Sequence, residues 1–198
     1  MIRLIFLYPI SVVVRIIILI RNKLYDWNIL RSTNSKLPVI SIGNIQVGGT
    51  GKTPFVASLI KLLHQNNIKP VIITRGYKRT TNQQIILNDI NQYSIEETGD
   101  EPYYLKKLFT EVSIIIDHNK KRAIHTANTM QNVDCIILDD GYQSRYIKRD
   151  VDIVLINTWA NPLHFFVMPS GYLREKISNL NRADFIYTTK GEKAKKLL

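Results

Sequence analysis

The run Gly43-Asn44-Ile45-Gln46-Val47-Gly48-Gly49-Thr50-Gly51-Lys52-Thr53 restricts the fold of this chain more than any other feature. It stands between two segments of different period. Pro38–Ile42 is a short apolar stretch that reads as a strand, and Lys52 to His64 carries apolar residues at 55, 56, 59, 60 and 63, the spacing of a helix. A strand, a glycine-rich turn and a helix opening on Lys-Thr form the setting of a phosphate-binding loop. Glycines let successive N–H groups converge on one phosphate, and the helix N-terminus adds positive potential. Lys52 supplies a mobile charge for the β and γ phosphates, and the Thr53 hydroxyl is a ligand for Mg²⁺. Gln46, Val47, Gly48, Gly49, Thr50, Gly51, Lys52 and Thr53 are therefore the candidate nucleotide-binding set. In the strict spacing the first glycine falls where this chain has Gln46, and glycine clusters instead at Gly48 and Gly49.

Apolar runs recur through the rest of the chain. Val71–Ile73, Val112–Ile116, Cys135–Leu138, Val151–Ile156 and Phe185–Thr188 read as strands, and a helix is expected from Asp100 with Pro102 in its first turn. The polar stretch from Lys78 to Gln84 reads as a loop. Alternation of strands with helices implies an α/β domain with a mostly parallel sheet, like that of P-loop NTPases, covered on both faces. Its expected span is 37–198, preceded by an apolar, basic segment at 1–31 and the polar linker Ser32–Lys36.

Three groups of residues extend the phosphate loop. Cys135–Leu138 ends in Asp139 and Asp140, the place from which a P-loop protein holds Mg²⁺. Strand-terminal Asp-Gly is also ordinary turn chemistry. Gly99-Asp100-Glu101-Pro102 reads either as a helix cap whose charges complement the dipole or as the source of a base for a hydroxyl proton. Arg174, in the glycine-containing run 169–175, suits a phosphate clamp or a surface salt bridge.

The first twenty residues are almost wholly apolar but include Arg3, Pro9 and Arg15. Arg15 near the middle of the run is costly at a bilayer centre. The segment reads instead as an interfacial anchor with Arg3, Arg15, Arg21, Lys23, Arg31 and Lys36 at headgroup level beside Tyr8, Tyr25 and Trp27. The chain carries 27 Lys and Arg against 16 Asp and Glu, a net of +11, which favours anionic partners. Nucleic acid is not the expected one, because the basic residues interleave with apolar ones at the N-terminus instead of lining a recognition face. One cysteine, Cys135, excludes an internal disulfide and a thiolate zinc cluster. His64, His118, His125 and His164 lack metal-ligand spacing. A partitioning-type ATPase would need a further lysine where this chain has Val47.

Taken in order, Gly-Asn-Ile-Gln-Val-Gly-Gly-Thr-Gly-Lys-Thr-Pro at 43–54, Thr-Arg-Gly-Tyr at 74–77, Gly-Asp-Glu-Pro at 99–102, Leu-Asp-Asp-Gly-Tyr-Gln at 138–143, Arg-Asp-Val-Asp-Ile-Val-Leu-Ile at 149–156 and Gly-Tyr-Leu-Arg-Glu at 171–175 resemble the tetraacyldisaccharide 4′-kinase family of lipid A biosynthesis. The resemblance runs through the whole chain, including the apolar start. It implies ATP and Mg²⁺ as reactants and phosphorylation of the 4′-hydroxyl of a tetraacylated disaccharide 1-phosphate, at the cytoplasmic face of the inner membrane. It assigns Lys52 and Thr53 to the phosphates and metal, Asp139 and Asp140 to the metal region, Asp100 to the base, and Arg174 and Glu175 to the phosphate end, with Glu175 among the metal candidates. Two departures stand out. Ser144 replaces the family's usual His after Asp-Asp-Gly-Phe/Tyr-Gln, and the family's C-terminal part, with the histidine that pairs with the catalytic Asp, maps onto no residue here. The expectation is an active kinase or, as the alternative, an ATP-binding, membrane-associated form with weak or no turnover.

Overall fold

The computed structural model describes residues 2–157 and 166–189, with side chains from residue 6 onward. In chain order the elements are α1 (Ile2–Asp26), β1 (Val39–Asn44), α2 (Lys52–Gln65), β2 (Pro70–Thr74), β3 (Ile85–Leu87), α3 (Ile95–Thr98), α4 (Asp100–Leu108), β4 (Ile114–Ile116), α5 (Lys120–Ala127), β5 (Cys135–Asp139), β6 (Val151–Asn157) and β7 (Phe185–Thr189). The strands form one sheet in the order β3-β4-β2-β5-β1-β6-β7. All neighbours are parallel except the β3–β4 pair. This is the doubly covered α/β architecture that the strand–helix alternation implies.

The sheet is built from β-branched runs. Every residue of β2 and β5 is buried, and alternate side chains go to opposite faces. Ile42, Ile72 and Ile137 pack with Val56, Ile60 and Leu63 of α2 and Leu105 of α4. Val71, Ile73, Ile136 and Leu138 pack with Ala123, Ile124 and Ala127 of α5. Each fully buried aliphatic side chain contributes about 1.5–3 kcal/mol, so the central strands are the anchor of everything at their ends.

Three local features differ from the expected pattern. The loop after Lys78 leads into β3, which at three residues is too short to show a period of its own. Val112 lies outside β4, since its N–H closes the end of α4 on Phe109 O at 3.1 Å. The Ser32–Lys36 segment is not a free linker. Thr33 pairs with Ile147, and the Ser32 and Ser35 hydroxyls donate to Arg145 O and Asn128 Oδ1 at 2.6 and 2.9 Å.

α1 touches the body along a narrow stripe. Ser11 and Asn22 are buried, and Val14 and Ile18 pack on the cluster of Ile45, Tyr142, Val154, Ile156, Val167, Leu173 and Leu180. Phe6, Tyr8, Ile10, Val13, Ile16, Ile17, Leu19 and Ile20 are exposed. No described helix is long and apolar enough to cross a membrane.

Candidate nucleotide site

β1 and β5 are adjacent, with Ile42 opposite Asp139. The glycine-rich loop and the Asp-Asp pair therefore emerge side by side at the C-terminal edge of the sheet, where α/β proteins bind ligands. The loop is fastened before it turns. The Gln46 side chain lies against β6, donating from Nε2 to Asn157 O at 3.2 Å and accepting from Asn157 N at 2.8 Å. The Val47 N–H goes to Tyr172 O at 2.8 Å, and the Arg174 N–H goes to Ile45 O at 2.7 Å. Gln46 and Val47, expected among the phosphate contacts, thus brace the loop against β6 and the strap at 172–174. The Gln46 side chain and the Val47 N–H are the groups that make this pairing.

The turn itself begins at Gly48. Gly48 and Gly51 have φ of 109° and 77°, which a side chain would strain. Nothing lies within 4 Å of a Cβ built on Gly48 or Gly49, so the backbone here presents an open side. Thr50 is buried, its hydroxyl accepting from Asn44 Nδ2 at 2.8 Å and its carbonyl accepting from the Thr189 hydroxyl at 3.1 Å. Gly51 caps α2, which starts at Lys52 and Thr53.

Two cations converge on one carboxylate. Lys52 Nζ is 3.5 Å from Asp140 Oδ1, and Arg174 donates to Asp140 Oδ1 and Oδ2 at 3.0 and 2.8 Å. Burial alone would raise Asp140, but Lys52 and Arg174 outweigh it and hold the carboxyl below the usual range. Asp139 is deeper, 8% exposed, and accepts from the Thr74 hydroxyl at 3.0 Å. Burial pushes it up, Lys52 opposes that, and Glu101 and Asp140 add to it. Among the described residues no cluster of three or more His, Cys, Asp or Glu forms a self-contained metal cage. That is compatible with Mg²⁺, which is commonly held by one or two carboxylates together with substrate phosphates and water. Asp139, Asp140 and the Thr53 hydroxyl offer the hard oxygen donors such an ion takes.

The remaining candidates divide. Asp100 is exposed in the first turn of α4. It follows Gly99, whose φ of 88° and missing Cβ allow the backbone to close on Tyr77 O, 2.8 Å from where a Cβ would lie. This packs the Asp100 turn on the Thr-Arg-Gly-Tyr segment after β2. Its neighbour Glu101, named in the sequence only as half of the acidic pair at the helix start, acts electrostatically on Asp139. Glu175 points away from the Asp139–Asp140 pair. It is 1% exposed, and its Oε2 accepts from Asn22, Asn179 and Arg182 at 3.1, 2.8 and 2.7 Å. Arg174 and Glu175 are consecutive where the strap bends, and their partners, Asp140 for one and Asn22, Asn179 and Arg182 for the other, lie on different sides. Lys120 was also missed, since one lysine in Asn-Lys-Lys-Arg carries no mark of burial. It lies beneath the Asp-Asp turn, where burial draws its ammonium down to about 8 against the opposing charges of Asp140 and Asp139. His164 lies outside the described residues.

Comparison with known proteins gives a consistent set. The family model described as tetraacyldisaccharide-1-P 4′-kinase matches residues 3–198. A tetraacyldisaccharide 4′-kinase of Bacteroides thetaiotaomicron is 37% identical over 186 residues, which are 93% of this chain and 48% of that protein. One from Flavobacterium johnsoniae is 40% identical over 186 residues, 93% of this chain and 54% of that protein. A crystal structure of LpxK from Aquifex aeolicus in complex with ATP superposes with a TM-score of 0.86 at 36% identity, covering 96% of this chain and 59% of that one. The chain spans about half the length of the curated relatives it matches.

Proposed function

The chain belongs to the tetraacyldisaccharide-1-P 4′-kinase family, and from that premise we propose that it binds Mg²⁺·ATP at the 48–53 loop and directs the γ-phosphoryl group to the 4′-hydroxyl of a tetraacyldisaccharide 1-phosphate at the cytoplasmic face of the inner membrane. One observation carries the reading. Consecutive residues of one strap face two surfaces: Arg174 reaches Asp140 at the loop, and Glu175 reaches Asn22 of the apolar helix α1. The loop proposed to take the phosphates is thereby joined through the strap to a helix whose outward side chains include Ile, Val, Leu and Phe.

Phosphoryl transfer asks a protein mainly for position and charge. The amides of the glycine turn and the α2 N-terminus receive the phosphates, and Lys52 and Arg174 neutralise charge that builds on the transferring group. Asp139, Asp140 and Thr53 are the residues that would hold Mg²⁺, which would supply positive charge against that of the phosphates. Asp100 is assigned to accept the proton of the attacking hydroxyl. The exposed face of α1, with Arg15 and Lys23, supports an interfacial placement that brings a glycolipid headgroup to the loop; each basic residue near an anionic surface adds about 1 kcal/mol.

Calorimetry on the folded 198-residue chain tests the nucleotide half, and transfer of labelled γ-phosphate to the disaccharide lipid in detergent micelles tests the other. Heat of association with Mg²⁺·ATP and label in the lipid are the expected results. Binding without transfer leaves an ATP-binding, membrane-associated form as the surviving reading. Absence of any heat on folded protein overturns the proposal.

A further inference from the structure

The first residue of α5 is a lysine turned inward. Lys120 is 2% exposed, whereas the adjacent Lys121 is exposed. Its Nζ donates to Asp139 O at 2.9 Å, to Asp140 O at 2.6 Å and to Ser144 Oγ at 3.4 Å. Burying an ammonium is costly unless its protons are accepted, and here all three acceptors lie within one six-residue turn. Two of them are the main-chain carbonyls of the residues whose carboxylates face the loop. Asp140 also adopts a φ of 50°, a left-handed conformation that residues with a Cβ adopt infrequently. Such a turn persists only where its surroundings fix it. On the sheet side Gly141 N donates to Ile42 O at 3.1 Å; on the other side the fixing group is Lys120.

We propose that Lys120 is a positioning residue, its ammonium drawing the Asp139 and Asp140 carbonyls to one side of the turn so that both carboxylates are held toward the loop and the metal. Ser144 is the third acceptor in this arrangement. Its hydroxyl fits beside the lysine without bringing a second titratable group. Lys120 touches no nucleotide in this scheme; it acts through the two aspartates. The inference rests on the nucleotide reading of the site for its functional consequence, but the hold on the turn is a property of the protein alone.

The test uses Lys120→Met, which keeps the reach and removes the donors, with Lys120→Gln read in the same way if the methionine variant fails to fold. ATP is titrated into the full chain with Mg²⁺ and again with EDTA. The gain in affinity brought by Mg²⁺ is expected to fall about tenfold in the variant, while metal-free ATP affinity stays within twofold. Hydrogen exchange without ligand is expected to rise at the amides of Gly141 and Ser144 and to stay unchanged in the middle of β5. An unchanged Mg²⁺ gain, or equal loss with and without the metal, overturns the positioning role. If wild-type protein binds no ATP, the nucleotide reading falls by itself, and unchanged exchange at Gly141 and Ser144 then overturns the hold by Lys120.

Discussion

The loop end of the sheet and helix α1 are built on opposite principles. At the loop end several polar side chains are tied to partners inside the protein: Gln46 with Asn157, Thr50 with Asn44, Asp139 with Thr74 and Asp140 with two cations. α1 instead exposes most of its apolar side chains and is joined to the body by a thin stripe that includes Ser11 hydroxyl to Ser170 N at 2.9 Å and Asn22 to Glu175 at 3.1 Å. A region that satisfies its own bonds specifies its geometry alone. A region that leaves large apolar groups in water requires another apolar phase to complete it. The two should therefore fail separately.

The largest separation is expected from Lys52→Met. Removing one preorganised charge from a phosphate site typically costs a hundredfold or more, and phosphoryl transfer by any active form should drop by at least about that factor. Binding to anionic vesicles, measured by co-sedimentation, should be unchanged, because Lys52 lies in α2 at the sheet and not on α1. Joint loss of both would show that the two regions are one cooperative unit and break the contrast.

The converse variant is Ile16→Glu with Ile17→Glu. These side chains are 51% and 60% exposed, so neither charge is forced into the core. Full burial of such a residue is worth about 1.5–3 kcal/mol; losing half of that at two positions should weaken vesicle binding by a factor of about 10 to 150. ATP affinity by calorimetry should stay within twofold, and the unfolding temperature should be unchanged. A fall in unfolding temperature would mean that this face of α1 is covered by protein.

The sequence displays the loop end better than it displays α1, for a physical reason. Gly48 to Thr53 and Leu138 to Asp140 are contiguous, and their chemistry is local to a strand end, so residue type and order suffice. What needs a distant partner was not legible. Gln46 and Val47 occupy the right place in the motif, yet β6 and the strap at 172–174 claim their bonds. Glu175 directly follows Arg174, and only the pairing with Asn22 shows that the two part company. Lys120 and Lys121 are alike in sequence and opposite in burial. Around α1 apolar residues appear on every side, so periodicity could not single out the stripe at Ser11, Val14, Ile18 and Asn22.

The smallest expected effect on the site sharpens the contrast by asking whether any fully paired cluster at this edge serves the ligand. Asp117 follows β4 on the same edge of the sheet as the loop. Its side chain is wholly buried. Arg122 Nε and Nη2 donate to it at 2.7 and 2.9 Å, Asn119 N at 2.8 Å and Gln84 Nε2 at 2.8 Å. Burial by itself would raise the carboxyl, but Arg122, Asn119 and Gln84 outweigh it and hold it below the usual carboxylate range. A group depressed in the folded state stabilises the protein above its unfolded value, and the benefit is lost as pH falls through the folded value. Asp117→Asn should therefore lower unfolding free energy by about 1–3 kcal/mol near neutral pH, and the difference from wild type should shrink progressively below about pH 4. Denaturant unfolding across that range checks it. ATP affinity at pH 7 should change by less than about threefold, since the Asp117 side chain bonds to Arg122, Asn119 and Gln84 and to none of the loop residues or the two aspartates. A tenfold loss with a modest change in stability would instead place Asp117 in the same positioning chain as Lys120, and the polar pairing at this edge would belong to the ligand as much as to the fold.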